Sequence, residues 1–107
     1  MSIYNLIENY ENTKDDFENI NAIIGVAFLD YDDENNLKVF WLPKPNRHHH
    51  LIQSMEGLFK QRFEQGFISN NHIFLRRKPA LRIAEEFNLL IKQPISSSHG
   101  LFSEDVW

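Results

Sequence analysis

Between Gln65 and Arg77 two short apolar runs flank a polar turn: Phe67-Ile68-Ser69, then Asn70-Asn71, then Ile73-Phe74-Leu75. Asparagine tolerates positive φ, which a two-residue primed turn requires, so this spacing predicts a β-hairpin. Strands of three residues do not persist alone in water, so the hairpin must pack on something larger. That requirement restricts the chain to folds in which other strands and helices cover this pair.

The rest of the sequence supplies such partners. Ala22–Leu29 is a continuous apolar run rich in branched residues, the pattern of a strand covered on both faces. Asp32-Asp33-Glu34-Asn35-Asn36 reads as a turn, and Leu37–Leu42 as a second strand of an antiparallel hairpin. Pro43-Lys44-Pro45 ends it, with Asn46 as the N-cap of the next element. Leu51, Ile52, Met55, Leu58, Phe59 and Phe63 then keep helical spacing, predicting a helix over about 47–64 closed by Gly66. Gly57 inside it costs about 1 kcal/mol relative to alanine, which suggests close packing there. Ala80, Ile83, Ala84, Phe87, Leu90 and Ile91 predict a second helix over about 77–92, with Pro79 in its first turn and Pro94 ending it. Ile3, Leu6, Ile7 and Tyr10 predict an N-terminal helix through about residue 12, and Thr13 can cap a further turn over 14–19. Residues 95–100 read as a loop, Leu101-Phe102 as a return to the core, and Ser103–Trp107 as a capped final turn. The expected architecture is a single α+β domain with an antiparallel sheet of about four strands, two main helices and the N-terminal helix.

At 107 residues there is room for one core, and 42% hydrophobic residues with nine Phe is a globular composition. The absence of Cys excludes disulfides, thiolate metal sites and cysteine nucleophiles. No apolar run approaches the roughly 20 residues of a membrane span, and the N-terminus lacks the basic and apolar regions of a signal peptide. A cytoplasmic protein without membrane contact is expected. Residues 1–36 carry nine acids against one base, whereas residues 37–107 carry ten bases against six acids. A net charge of −4 argues against direct nucleic-acid binding, which needs a basic surface. The positive portion is where an anion would be held.

Among groups able to do chemistry, His48-His49-His50 lacks the three- or four-residue spacing of helical metal ligands, so no metal is expected. The Asp-rich turn lacks the length, glycine and closing Glu of a calcium loop. Glu85-Glu86 reads as a solvated face, and Trp41, Tyr31 and Phe40 as core fillers or a stacking surface. No nucleophile–base–orienter set and no phosphate-binding glycine loop is visible, and no cofactor is expected. Arg47 and His48 open one predicted helix, and Arg76 and Arg77 open the other. Free N–H groups and the positive end of each helix dipole favour an anion at those positions. Cations there need a negative partner, which can be a ligand or an internal acid such as Glu104 or Asp105.

From about Arg47 onward the chain resembles short phage- and prophage-encoded proteins with no assigned activity. The matching features are Arg47-His48, Gly66-Phe67, Phe74, Arg77, Ala80 with Ile83-Ala84, and Leu101-Phe102-Ser103-Glu104-Asp105. Arg76 departs from the Asp, Ser or Gly that usually caps the second helix, and residues 1–43 are not covered. The resemblance implies a phage accessory product and marks Arg47, His48, Arg77, Ser103, Glu104 and Asp105 as a candidate site, to which Arg76 adds charge.

The expectation is a non-catalytic binder that counters host defence by sequestering a small anionic, nucleotide-derived signal, enclosed in a homo-oligomer. In this reading Ser103, Glu104 and Asp105 orient the arginines or take ligand hydroxyls. One alternative is a protein–protein inhibitor whose acidic N-terminal third blocks a host nuclease or nucleic-acid-binding complex. Another is a small phosphoester hydrolase using His48 as acid/base.

Overall fold

The Ala22–Leu29 run forms the centre of the sheet. In the computed structural model, which describes residues 4–10, 20–32, 35–60, 62–91 and 100–107 (Glu104 without its side chain), the strands are β1 (Asn5–Ile7), β2 (Ile23–Asp30), β3 (Lys38–Pro43), β4 (Glu64–Ser69) and β5 (Phe74–Arg76). The helices are α1 (His48–Ser54) and α2 (Arg77–Glu86), and a 3-10 turn covers Ser103–Asp105. The strands lie in the order β1-β3-β2-β4-β5, all neighbours antiparallel. β2 is thus flanked on both sides, and a register shift between Ile23 and Gly25 bends it against β4.

Both faces of the sheet are covered, as the unbroken apolarity of β2 requires. Val26, Phe28, Phe40, Leu42, Phe67 and Leu75 point to one face, where Leu51 and Met55, Ala80, Leu81 and Ala84 of α2, and Leu101 pack on them. Each large side chain fully buried there contributes about 2–3 kcal/mol, and Phe28 and Phe67 are wholly enclosed. Ala27, Leu29, Val39, Ile68 and Phe74 form a smaller cluster on the other face with Tyr10. Tyr10 lies beside β3, its N–H donating to the Leu37 carbonyl at 2.9 Å. Its hydroxyl accepts the Phe74 N–H of β5 at 2.8 Å. In a flat sheet the β1 and β5 sides would be four spacings, roughly 19 Å, apart, beyond the reach of one tyrosine. The sheet is therefore curled around the smaller cluster.

Several elements depart from the sequence expectation. The sheet has five strands rather than about four. Residues 5–7, expected in an N-terminal helix, pair with β3 as β1; pairing of Leu6 with Phe40 replaces four helically spaced apolar residues as the organising contact. The continuation over 14–19 lies outside the described residues. The helix expected over about 47–64 ends at Ser54, because Glu56 (φ 26°) and Gly57 (φ +83°) leave the helical region. A Cβ on Gly57 would meet nothing within 4 Å, so its glycine serves backbone conformation and not close packing. Gly66, read as the helix stop, lies inside β4, whose strand starts at Glu64. Asn46 is not the cap of α1. Arg47 holds that position, His50 Nδ1 accepts its N–H at 2.9 Å, and Asn46 Nδ2 donates to the Pro43 carbonyl. The second helix ends at Glu86 rather than about residue 92. Pro94 lies outside the described residues. Leu101 is buried as expected, whereas Phe102 is exposed.

Candidate functional site

The predicted site residues fall into two neighbouring groups joined by Arg77. The first is a partly buried latch between the start of α1 and the C-terminal segment. Arg47 donates through Nη2 to the main-chain oxygen of Trp107, and Trp107 Nε1 donates to the Asn46 carbonyl at 2.7 Å. The Trp107 indole stands edge-on to Phe67, with centroids 6.0 Å apart. Arg47 Nη1 is buried and has no hydrogen-bond partner among the described residues.

His48, the first helical residue of α1, is wedged between Phe28 and Phe67, with centroids 5.9 and 5.2 Å away. Its Nε2 lies 2.7 Å from the Gly66 carbonyl, an acceptor only, so that nitrogen carries the proton. Burial lowers its pKa from 6.5 to about 4, and the Arg77 charge adds to that effect while the Gly66 carbonyl opposes it. At neutral pH His48 is therefore an uncharged imidazole whose Nδ1 keeps its lone pair.

Ser103 and Asp105 are buried in the 3-10 turn. The Asp105 carboxylate accepts the Phe102 N–H at 2.9 Å, closing the turn on itself. Among the described residues the C-terminal segment contacts Arg47 and Arg77 through main-chain oxygens and, at Arg77, also through the Phe102 ring. Arg77 Nη1 donates to the Leu101 carbonyl at 2.8 Å and Nη2 to Gln65 Oε1 at 2.9 Å. Its guanidinium lies 4.7 Å from the centre of the Phe102 ring, a cation–π distance. Leu101 N–H returns a bond to the Arg77 carbonyl at 2.9 Å. Gly100, at φ +78°, permits this approach, because a Cβ there would lie 2.6 Å from the Arg77 carbonyl carbon.

The second group is an open pocket of about 370 Å³ at the N-terminus of α2, lined by Glu64, Gln65, Arg76, Arg77, Lys78 and Pro79. Arg76 occupies the N-cap, and its side chain makes no cap hydrogen bond. Arginine has no acceptor, so the first-turn N–H groups lack the oxygen that a Ser or Asp cap supplies. Arg76 Nε instead pairs with Glu64 Oε1 at 2.7 Å, in a partly exposed ion pair. Glu64, Gln65 and Lys78 were not singled out in the sequence. Glu64 was assigned to the end of a helix and Gln65 to the start of the hairpin stretch, whereas Lys78 extends the visible Arg76-Arg77 pair. A second pocket, lined by Ala84, Glu85, Asn88 and Leu90, has no cation. Among the described residues no group of three His, Asp or Glu side chains is placed to hold a metal, and no helix is long and apolar enough to cross a membrane.

Set beside known proteins, residues 22–107 match the family model of the phage T4 y16D protein. No curated protein and no solved structure matches.

Proposed function

The chain belongs to the phage T4 y16D protein family, and from that premise we propose a phage accessory protein that counters host defence by non-catalytic binding, sequestering a small phosphate-bearing, nucleotide-derived signal. The observation that carries this reading is the pocket at α2. Arg76, Arg77 and Lys78 line it beside a helix N-terminus without a side-chain cap, and among the described residues Glu64 is the carboxylate in its wall. A phosphate oxygen would supply the missing cap acceptor and pair with Arg76 and Lys78 in one step.

The remaining candidate residues take a supporting part in this reading. Arg47, Ser103 and Asp105 fix the C-terminal segment, which in turn fixes Arg77 through the Leu101 carbonyl, while His48 ties the start of α1 to β4 through the Gly66 carbonyl. Glu104 remains a candidate ligand or orienting residue. The pocket is open to solvent, so a second copy of the chain would be the means of enclosing the ligand.

Isothermal titration of the protein with a panel of cyclic and linear phosphorylated nucleotides, followed by native mass spectrometry of the complex, tests the proposal. The expected result is saturable binding, lost in an Arg76→Ala/Lys78→Ala double variant, with the ligand recovered intact. Failure to bind any phosphorylated nucleotide overturns it. Recovery of a cleaved product would replace it with the hydrolase reading.

A further inference from the structure

A carboxylate in the wall of an anion site repels the anion, since like charges a few ångströms apart repel, so its presence there calls for a further role. Glu64 nevertheless lines the pocket at the start of β4, with its side chain 34% exposed. Its placement leaves a specific pattern of hydrogen-bonding groups. Oε1 accepts from Arg76 Nε at 2.7 Å, and Oε2 has no partner among the described residues. Arg76 spends only Nε on this pair, so both terminal guanidinium nitrogens remain for a ligand. Gln65 turns Oε1 to Arg77 at 2.9 Å, which leaves its amide N–H groups as donors. Among the described residues the pocket thus offers several donors and cations but one strong unpaired acceptor, Glu64 Oε2. A ligand matching that pattern carries an anionic group and, beside it, a hydrogen-bond donor.

Resting on the anion-binding reading above, we propose that Glu64 is the specificity-determining residue of the pocket and selects a phosphate carried on a ribose over bare phosphate or a deoxygenated sugar. The phosphate lies on Arg76, Lys78 and the α2 N-terminus, and a ribose hydroxyl donates to Glu64 Oε2. A hydrogen bond to a charged acceptor is strong enough to discriminate, and a site that expects a hydroxyl rejects the analogue lacking it.

The full chain is titrated with adenosine 5′-monophosphate, its 2′,3′-dideoxy analogue and inorganic phosphate. Expected is a preference for the ribonucleotide of about tenfold over the dideoxy form, the modest end of the range for a partly exposed charged acceptor. Glu64→Ala should bring that ratio close to one and tighten inorganic phosphate. Glu64→Gln, which keeps an acceptor and loses the charge, should fall between. Equal binding of both nucleotides by the natural protein, or a ratio that survives Glu64→Ala, overturns the role of Glu64 while leaving the anion site standing. Absence of binding by all three probes overturns the anion-binding reading and the inference with it.

Discussion

His48 gives the fold a measurable dependence on acid. Burial between two phenylalanines holds its pKa at about 4, against 6.5 for a solvated histidine. The group is neutral in the folded protein, so as pH falls the unfolded chain takes up the proton first and unfolding becomes easier. The contribution is fully present above pH 6.5 and is lost as pH falls from about 6.5 to about 4. At about 1.4 kcal/mol per pKa unit the whole effect is about 3 kcal/mol, of which roughly 2 kcal/mol disappears between about pH 7 and about pH 5. Carboxylates also titrate near the lower limit, so the comparison must be with a variant that lacks only this group. His48→Gln keeps an N–H donor for the Gly66 carbonyl and removes the titration. Urea unfolding of both proteins across this range should show the natural protein losing roughly 2 kcal/mol more than the variant. Parallel pH profiles for the two would refute the placement of His48 as a neutral, buried donor.

Two further substitutions probe the framework. Gly66→Ala would place a Cβ 2.2 Å from the Leu75 carbonyl oxygen and 2.8 Å from the Phe74 ring, so β4 and β5 must separate. A loss of about 3 kcal/mol in unfolding free energy is expected from urea unfolding, read as a lower midpoint at unchanged slope, at the upper end for overpacking. Trp107→Phe keeps an aromatic ring against Phe67 and removes the indole N–H that bonds the Asn46 carbonyl. It should cost about 1 kcal/mol, a fall of about 4 °C in Tm in a scan of thermal unfolding.

The hairpin, the two-faced central strand and the start of α2 were readable because each rests on local chemistry. Asn70-Asn71 marks the turn, an unbroken apolar run requires cover on both sides, and Pro79 suits a first turn. The turn is not the two-residue primed type expected: Ser69 N–H bonds the Ile73 carbonyl across three loop residues, and the positive φ falls on His72 (62°) rather than on either asparagine. The overlong helix at 47–64 shows where periodicity misleads. Phe59 and Phe63 continue the spacing of Leu51 and Met55, yet they reach the core from an irregular segment. Phe59 packs on Phe28 at 5.0 Å and Phe63 on Phe40 at 5.8 Å. Spacing reports which side chains face the core and not whether the backbone between them is continuous. Gly57 was the available stop signal, and its positive φ outweighs the pattern around it. At the N-terminus, three residues were recruited by the neighbouring β3, a tertiary choice that no local propensity encodes. The candidate site was legible as cations at helix starts. Its division into a latch and a pocket was not, because the bonds of Arg47 and Arg77 to Trp107 and Leu101 join residues far apart in the chain.

The tyrosine that bridges the curled sheet also alters how this protein meets other chains. Among the described residues β5 is an outer strand, and Ile68 and Phe74 face each other between the Phe67–Leu75 and Ser69–Ile73 pairs. Ser69 N–H donates to the Ile73 carbonyl, and the alternation of an antiparallel ladder then turns the Phe74 N–H away from β4. Left bare, that donor would invite a strand from another molecule, the route by which sheets add copies and aggregate. The Tyr10 hydroxyl occupies it. One side chain from the far side of the sheet thus covers the outward donor of Phe74, and the charged Arg76 at the end of the same strand adds to that guard against recruitment.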